Sequence, residues 1–325
     1  LIEPAPFFLT RLFPSLVSSV ASSRSDDHPG RRAERLDVAG LRAVWVLLPI
    51  LIGPAVADAL HGMDPGPRSA TSAALWVCWA ICLTATLVPL PVTLTVLRLG
   101  GPGVAALAVW SATVTDDLVH TGFALLAGVL VVLTSFAAPV ADRFVDGASY
   151  GDERRFLLRA PGPVVLVLGP LATAVAVAGA TVGPVLLLHS RWVPGALVTA
   201  AGLPLAVLSL RSLHRLVRRW IVLVPAGFVL HDHLALAEPT LLQRAGLDQL
   251  GAAAAHTGAR DFTQQARGLA LEVRCRQPHD ILPAKSRGGA ETPAIEVQAI
   301  EAFLCSPVRP DVVLAEAARR RLPVG

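Results

Sequence analysis

Charge is scarce in this chain. Aspartate, glutamate, lysine and arginine make up 16% of its 325 residues, against about 25% in soluble domains. Lysine is almost missing: Lys285 stands alone among 28 basic residues, and the rest are arginine. There are four cysteines, and no His or Cys follows the Cys78/Cys82 pair at the spacing a second pair of zinc ligands needs. Cys78 and Cys82 lie one helical turn apart in an apolar run and read as small buried residues. The shortage of charge excludes a disordered chain, a basic nucleic-acid-binding domain and a purely soluble enzyme. Apolar residues fill the gap, at 53% hydrophobic and a mean hydropathy of +0.58. What remains is an integral membrane protein.

A hydrocarbon core of about 30 Å takes about 20 apolar residues as helix. Runs of that kind predict spans over residues 41–60, 73–97, 99–114, 118–140, 163–188 and 193–210. Pro89 and Pro91 are expected to kink the second. The third is short and carries Gly100-Gly101-Pro102-Gly103, which reads as a turn or helix break, so it crosses tilted, re-enters, or borrows neighbouring residues. The last two are divided by His189-Ser190-Arg191-Trp192.

With six spans, one set of connections holds Arg11, Arg24, Arg31, Arg32, Arg35, Arg42, Arg98, Arg143, Arg154, Arg155, Arg159, Arg211, Arg215, Arg218 and Arg219, fifteen in all. The opposite set holds two, Arg68 and Arg191. The positive-inside rule then predicts a multi-pass protein of the cell (inner) membrane with both termini cytoplasmic. Residues 1–40 do not read as a secretory signal, since no basic stretch precedes the apolar run and Pro14 interrupts it. Phe8, Leu9, Leu12, Phe13, Leu16 and Val17 fit either an interfacial amphipathic helix or a frayed tail. Ser22–Arg35 reads as a polar linker.

From Trp220 the pattern changes: 11 basic and 11 acidic residues are spread evenly to Gly325. Residues 268–276 alternate, with Leu269, Leu271, Val273 and Cys275 on one face, which predicts a half-buried strand. Trp220–Val224 and Phe228–Leu230 read as strands around the turn Pro225-Ala226-Gly227. Residues 294–304 offer another, and Pro310 opens a helix to about Leu322. The expected fold is thus an α-helical polytopic membrane bundle followed by a small cytoplasmic β-rich domain ending in a helix. Residues 1–40 form an N-terminal segment, 41–210 the transmembrane part, 211–219 an arginine-rich linker and 220–325 the β domain.

The run Arg219-Trp220-Ile221-Val222-Leu223-Val224-Pro225-Ala226-Gly227-Phe228-Val229-Leu230-His231-Asp232 resembles the opening of bacterial pleckstrin-homology-like domains attached to membrane helices. Ser306-Pro307-Val308-Arg309-Pro310-Asp311 before a helix is similar to their closing. The chain also resembles integral membrane proteins of actinobacteria. The resemblance covers the last third and brings no catalytic residues.

Among polar candidates, Asp116, Asp117 and His120 stand where the third span leaves the membrane, and Asp58 with His61 at the outer end of the first. Ionisable groups near a bilayer can mark ion paths, but a solvated loop is the simpler reading. His231-Asp232-His233, with Glu238 nearby, offers at most two metal ligands on one strand face and reads as loop polarity. Arg211, Arg215, Arg218 and Arg219 are expected to face anionic lipid. No cofactor or metal is expected, and no nucleophile, base and acid stand at a recognised spacing. The leading function is a membrane protein presenting a cytoplasmic domain that binds protein or anionic headgroups, with the bilayer as its other partner and no nucleic acid. The alternatives are a subunit of a small transporter or channel, and a membrane enzyme for a lipid-linked substrate.

Overall fold

The computed structural model describes residues 29–284 and 297–325. The segment around Phe8–Val17, the linker from Ser22 to residue 28 and the start of the strand expected from Ala294 lie outside these residues. From Pro29 onward the supposed linker is already helix.

Six helices among the described residues are long and apolar enough to cross a membrane. They are α1 (Pro29–Leu60), α2 (Pro65–Leu87), α3 (Pro91–Val114), α4 (Leu118–Phe136), and, after the short α5 (Ala138–Asp146), α6 (Gly169–Leu188) and α7 (Trp192–Val217). The 32 residues of α1 extend about 48 Å at 1.5 Å each. That exceeds a hydrocarbon thickness of about 30 Å, so α1 is longer than one crossing needs. Val38, Leu41, Trp45, Leu48, Ile52 and Ala55 form its buried stripe at steps of three and four.

Four features differ from expectation. Pro89 and Pro91 do not kink a continuing helix. Val88 is extended, as residues before proline tend to be, and Pro91 begins α3. The Gly100-Gly101-Pro102-Gly103 run is not a break but lies inside α3, a full 24-residue helix. Its glycines permit close approach: a Cβ on Gly100 would stand 2.6 Å from the Cys82 sulfur. The fourth span ends at Phe136 rather than Val140, because Ala137 turns the chain and Pro139 lies in the first turn of α5. Likewise α7 continues to Val217, so Arg211–Val217 is helix and not linker.

Helices α6 and α7 form a hairpin whose seam is made of small residues. A Cβ on Gly179 would lie 2.4 Å from the Gly202 carbonyl oxygen, and one on Gly183 would lie 2.2 Å from Thr199 Oγ1. Such contacts let backbones approach where no hydrophobic force acts between helices. Of the 20 residues of α6, only Ala176 and Gly183 are buried, while Leu171, Val177, Val182, Val185 and Leu188 are exposed, as suits contact with lipid.

The β-rich part holds two sheets. The first is antiparallel in the order β1 (Arg154–Leu157), β2 (Trp220–Val224), β3 (Gly227–His231), β4 (Thr240–Gln243). The second runs β5 (Leu247–Ala252), β7 (Leu271–Ile281), β8 (Gln298–Cys305), β6 (Arg260–Asp261), and β6 is parallel to β8. Helix α8 (Pro310–Arg319) buries Val313 and Ala317 against the core of Phe156, Ile221, Phe228 and Phe303. The β2–β3 turn stands as expected, with Gly227 at φ +154° and no room for a Cβ beside the Leu242 carbonyl. One strand comes from outside residues 220–325. β1 precedes the α6–α7 hairpin in the chain, yet it pairs with β2, Leu157 opposite Trp220 and Arg155 opposite Val222.

The seam yields a test of opposite signs. Gly179→Ala forces a methyl onto a backbone carbonyl and should destabilise by about 1–3 kcal/mol. Gly122→Ala, with nothing within 4 Å of its Cβ position in α4, should stabilise by about 0.5–1 kcal/mol through helix propensity. Melting of the two variants in detergent checks both.

Candidate functional site

The nine residues of α5 place Asp142 and Asp146 one helical turn apart, and both are buried. Beside them runs β1. Backbone N–H groups alternate between the two edges of a strand, so those of Arg155 and Leu157 share the edge turned away from β2. Asp146 Oδ1 accepts from Arg155 N at 2.9 Å, and Asp142 Oδ1 accepts from Leu157 N at 3.0 Å. Four helix residues rise about 6 Å and two strand residues span about 6.6–6.8 Å. The two repeats match, and a pair of carboxylates occupies the place of a neighbouring strand.

The guanidinium groups complete the junction. Arg154 Nη1 donates to Asp146 Oδ2 at 2.5 Å, and its Nη2 donates to both oxygens of Glu34 at 2.5 and 2.6 Å. Glu34 comes from the first turns of α1. Arg309, the N-cap residue of α8, donates from Nη1 to Glu34 Oε1 at 3.0 Å and lies 3.7 Å from Asp142 Oδ2. Glu34 is 1% exposed and Arg154 3%. Burial works against the charge on Arg154, but Asp146 and Glu34 outweigh it and hold its pKa above the usual value. Asp142 is pushed the other way, up to about 7, chiefly by burial. The Leu157 amide, Arg309 and Arg154 oppose that rise, and Glu34 adds to it. Of these three carboxylates, Asp142 is the one without a guanidinium at hydrogen-bond distance.

A second buried pair lies inside the β part. Arg219 Nε and Nη2 donate to the two oxygens of Asp232 at 2.7 and 2.6 Å, and Arg219 Nη1 donates to the Arg159 carbonyl at 3.0 Å. Arg219 is 1% exposed. It therefore does not face lipid, contrary to the sequence expectation, because the fold needs its fork for Asp232. Asp232 is in turn withdrawn from any metal role beside His231 and His233. His231 stacks on Trp220 at 4.9 Å. Burial lowers the pKa of both histidines, with Arg218 acting further on His231 and Arg215 on His233.

The remaining candidates divide. Arg211, Arg215 and Arg218 are exposed at the C-terminal end of α7. At the opposite end of the bundle His120 Nδ1 lies 3.1 Å from both Asp58 Oδ2 and Asp117 Oδ2. Asp117 also caps α4, its Oδ1 accepting from Val119 N and His120 N. Those amides hold its carboxyl below the usual carboxylate range. Asp116 is exposed and stands outside this cluster. Three ligand atoms could surround an ion here, but the group lies at the positive end of α4, which favours anions over cations.

Sequence reasoning missed Glu34, Asp142, Asp146, Arg154 and Arg309. The available signal was Asp142 and Asp146 at i and i+4 among Val140, Ala141, Phe144 and Val145, where solvated acids are out of place. No family model, curated protein or solved structure matches the chain.

Removing one partner from a buried ionic network strands the others, at a cost of about 3–5 kcal/mol. Glu34→Ala should therefore lower the unfolding free energy of the chain in detergent by that much, seen as a clear drop in its denaturation midpoint. Asp116→Asn with Asp117→Asn should leave it unchanged, since both sites are exposed and an asparagine oxygen still caps α4.

Proposed function

We propose that this chain is a membrane-anchored interaction protein, whose β-rich module sits on the cytoplasmic face of the cell membrane and engages anionic lipid headgroups. The observation that carries the reading is the stripe Arg211, Arg215 and Arg218. These residues recur at i, i+4 and i+7, so they lie along one face of α7. All three are exposed, directly before the chain enters β2. The excess of arginine in connections on this side supports a cytoplasmic placement. Two four-stranded sheets closed by α8 suit a pleckstrin-homology-like module, the class that the sequence around Trp220–Asp232 resembles.

Each arginine near an anionic surface contributes about 1 kcal/mol, so the stripe accounts for about 3 kcal/mol at low ionic strength. The chain reconstituted in phosphatidylcholine nanodiscs should melt lower than in discs that also contain phosphatidylserine. Arg211→Gln, Arg215→Gln and Arg218→Gln together should remove most of that difference, and added salt should shrink it in the wild type. Equal melting in the two lipids would sink the lipid reading and leave a protein partner as the module's target.

A further inference from the structure

Asp142 is fully buried, and its two oxygens have different surroundings. Oδ1 accepts the Leu157 amide of β1; Oδ2 has no hydrogen-bond donor. The nearest cationic atom is Arg309 Nη1 at 3.7 Å, and that same nitrogen already serves Glu34 Oε1 at 3.0 Å. The charged groups facing Asp142 are Glu34 from α1, Arg154 from β1, Arg309 at the start of α8 and Arg98 from α3, with Asp146 one turn along its own helix. An ionised oxygen with no donor is costly in such a place, and a hydroxyl there is far less so. Opening the junction returns Asp142 to water, where it ionises as an ordinary carboxylate.

We infer that Asp142 is a proton-operated clasp between the membrane bundle and the β module. With a proton from solvent on Oδ2, α5 holds the edge of β1, and Arg309 is left to Glu34 alone. With Oδ2 ionised, Asp142 and Glu34 compete for Arg309 and the grip of α5 on β1 weakens. The clasp does not depend on what the module binds, so it can stand if the lipid reading fails.

The sign follows from linkage. The closed junction binds the proton more tightly than the open one, since burial holds Asp142 at about 7 in the closed state. Closure is therefore strongest in acid and weakens as pH rises towards 7, by up to about tenfold per pH unit for one proton. Above that it levels off.

Hydrogen exchange of the full chain in nanodiscs reads this directly, with each rate expressed relative to the unstructured rate at the same pH. Protection of the Arg155 and Leu157 amides should fall several-fold to tenfold per unit from about pH 5 to about pH 7 and then flatten. Amides of Phe228–Leu230 in β3, distant from Asp142 in the ladder, should keep constant protection. In Asp142→Asn the amide oxygen still accepts from Leu157 and the protection of β1 should lose its pH dependence. A flat wild-type profile at β1, or the same slope at β3, overturns the clasp without recourse to any variant. An unchanged slope in Asp142→Asn overturns it as well.

Discussion

The structure depends on a match of spacings between an α-helix and a β-edge. A strand edge is a row of unpaired N–H groups, and within a folded protein each must find an acceptor. Here the acceptors are carboxylates, Asp142 and Asp146, borrowed from α5. Once they are fixed, their remaining oxygens dictate the rest. Asp146 draws in Arg154, Arg154 draws in Glu34 from α1, and Glu34 draws in Arg309 from the start of α8. The first turn of the membrane bundle and the last helix of the β module are thereby tied to the same few atoms. A hydrophobic contact could bury as much surface, but it would not set orientation, because apolar packing is non-directional.

This arrangement also explains why arginine is used in buried places. Arg154 and Arg219 each direct planar donors at several acceptors at once, which a lysine point charge cannot do. Arg219 is bidentate to Asp232 through Nε and Nη2 and reaches the Arg159 carbonyl with Nη1, whereas Arg154 gives Nη2 to both oxygens of Glu34 and Nη1 to Asp146. Such pairs contribute geometry more than net stability, since desolvation offsets much of the attraction. The α6–α7 hairpin shows the opposite solution: no ion pair lies within it among the described residues, and backbones meet through Gly179, Gly183 and Gly202.

The membrane spans were legible in the sequence because length and apolarity are local properties, and the bilayer reads them residue by residue. The strands at Trp220–Leu230 and near Leu271 were legible for a similar reason: a turn signal and a period of two need no distant partner. What was not legible depended on partners far along the chain. Arg154-Arg155-Phe156-Leu157 is a short charged stretch that looks like loop until three carboxylates and β2 are placed around it. Arg219 looked like its exposed neighbours Arg215 and Arg218, and only Asp232 distinguishes it. Gly100-Gly101-Pro102-Gly103 looked like a break because proline and glycine break helices in water. Inside a bundle, neighbouring helices make up for the local loss. Of the polar cluster at the far end of the bundle, Asp117 and His120 were visible together. Their third member, Asp58, required the packing of α1 on α4.

The pairing of β1 with β2 has a consequence for the order in which the chain can be assembled. Antiparallel neighbours usually need only a tight turn between them, but here residues 158–219, two membrane crossings included, separate the partners. At about 5–20 residues per second of synthesis, β1 exists for seconds before β2 is made. Both of its edges would be open throughout that interval, except that α5 has already emerged. Asp142 and Asp146 lie only 15 and 9 residues from the amides they cap, so two amides of one edge can be met by local contacts, while the Leu157 carbonyl and the Arg159 amide on that edge await Val308 and Ser306. The two carboxylates are thus the acceptors nearest in the chain to β1, and they are in place before the strand that pairs with its other edge.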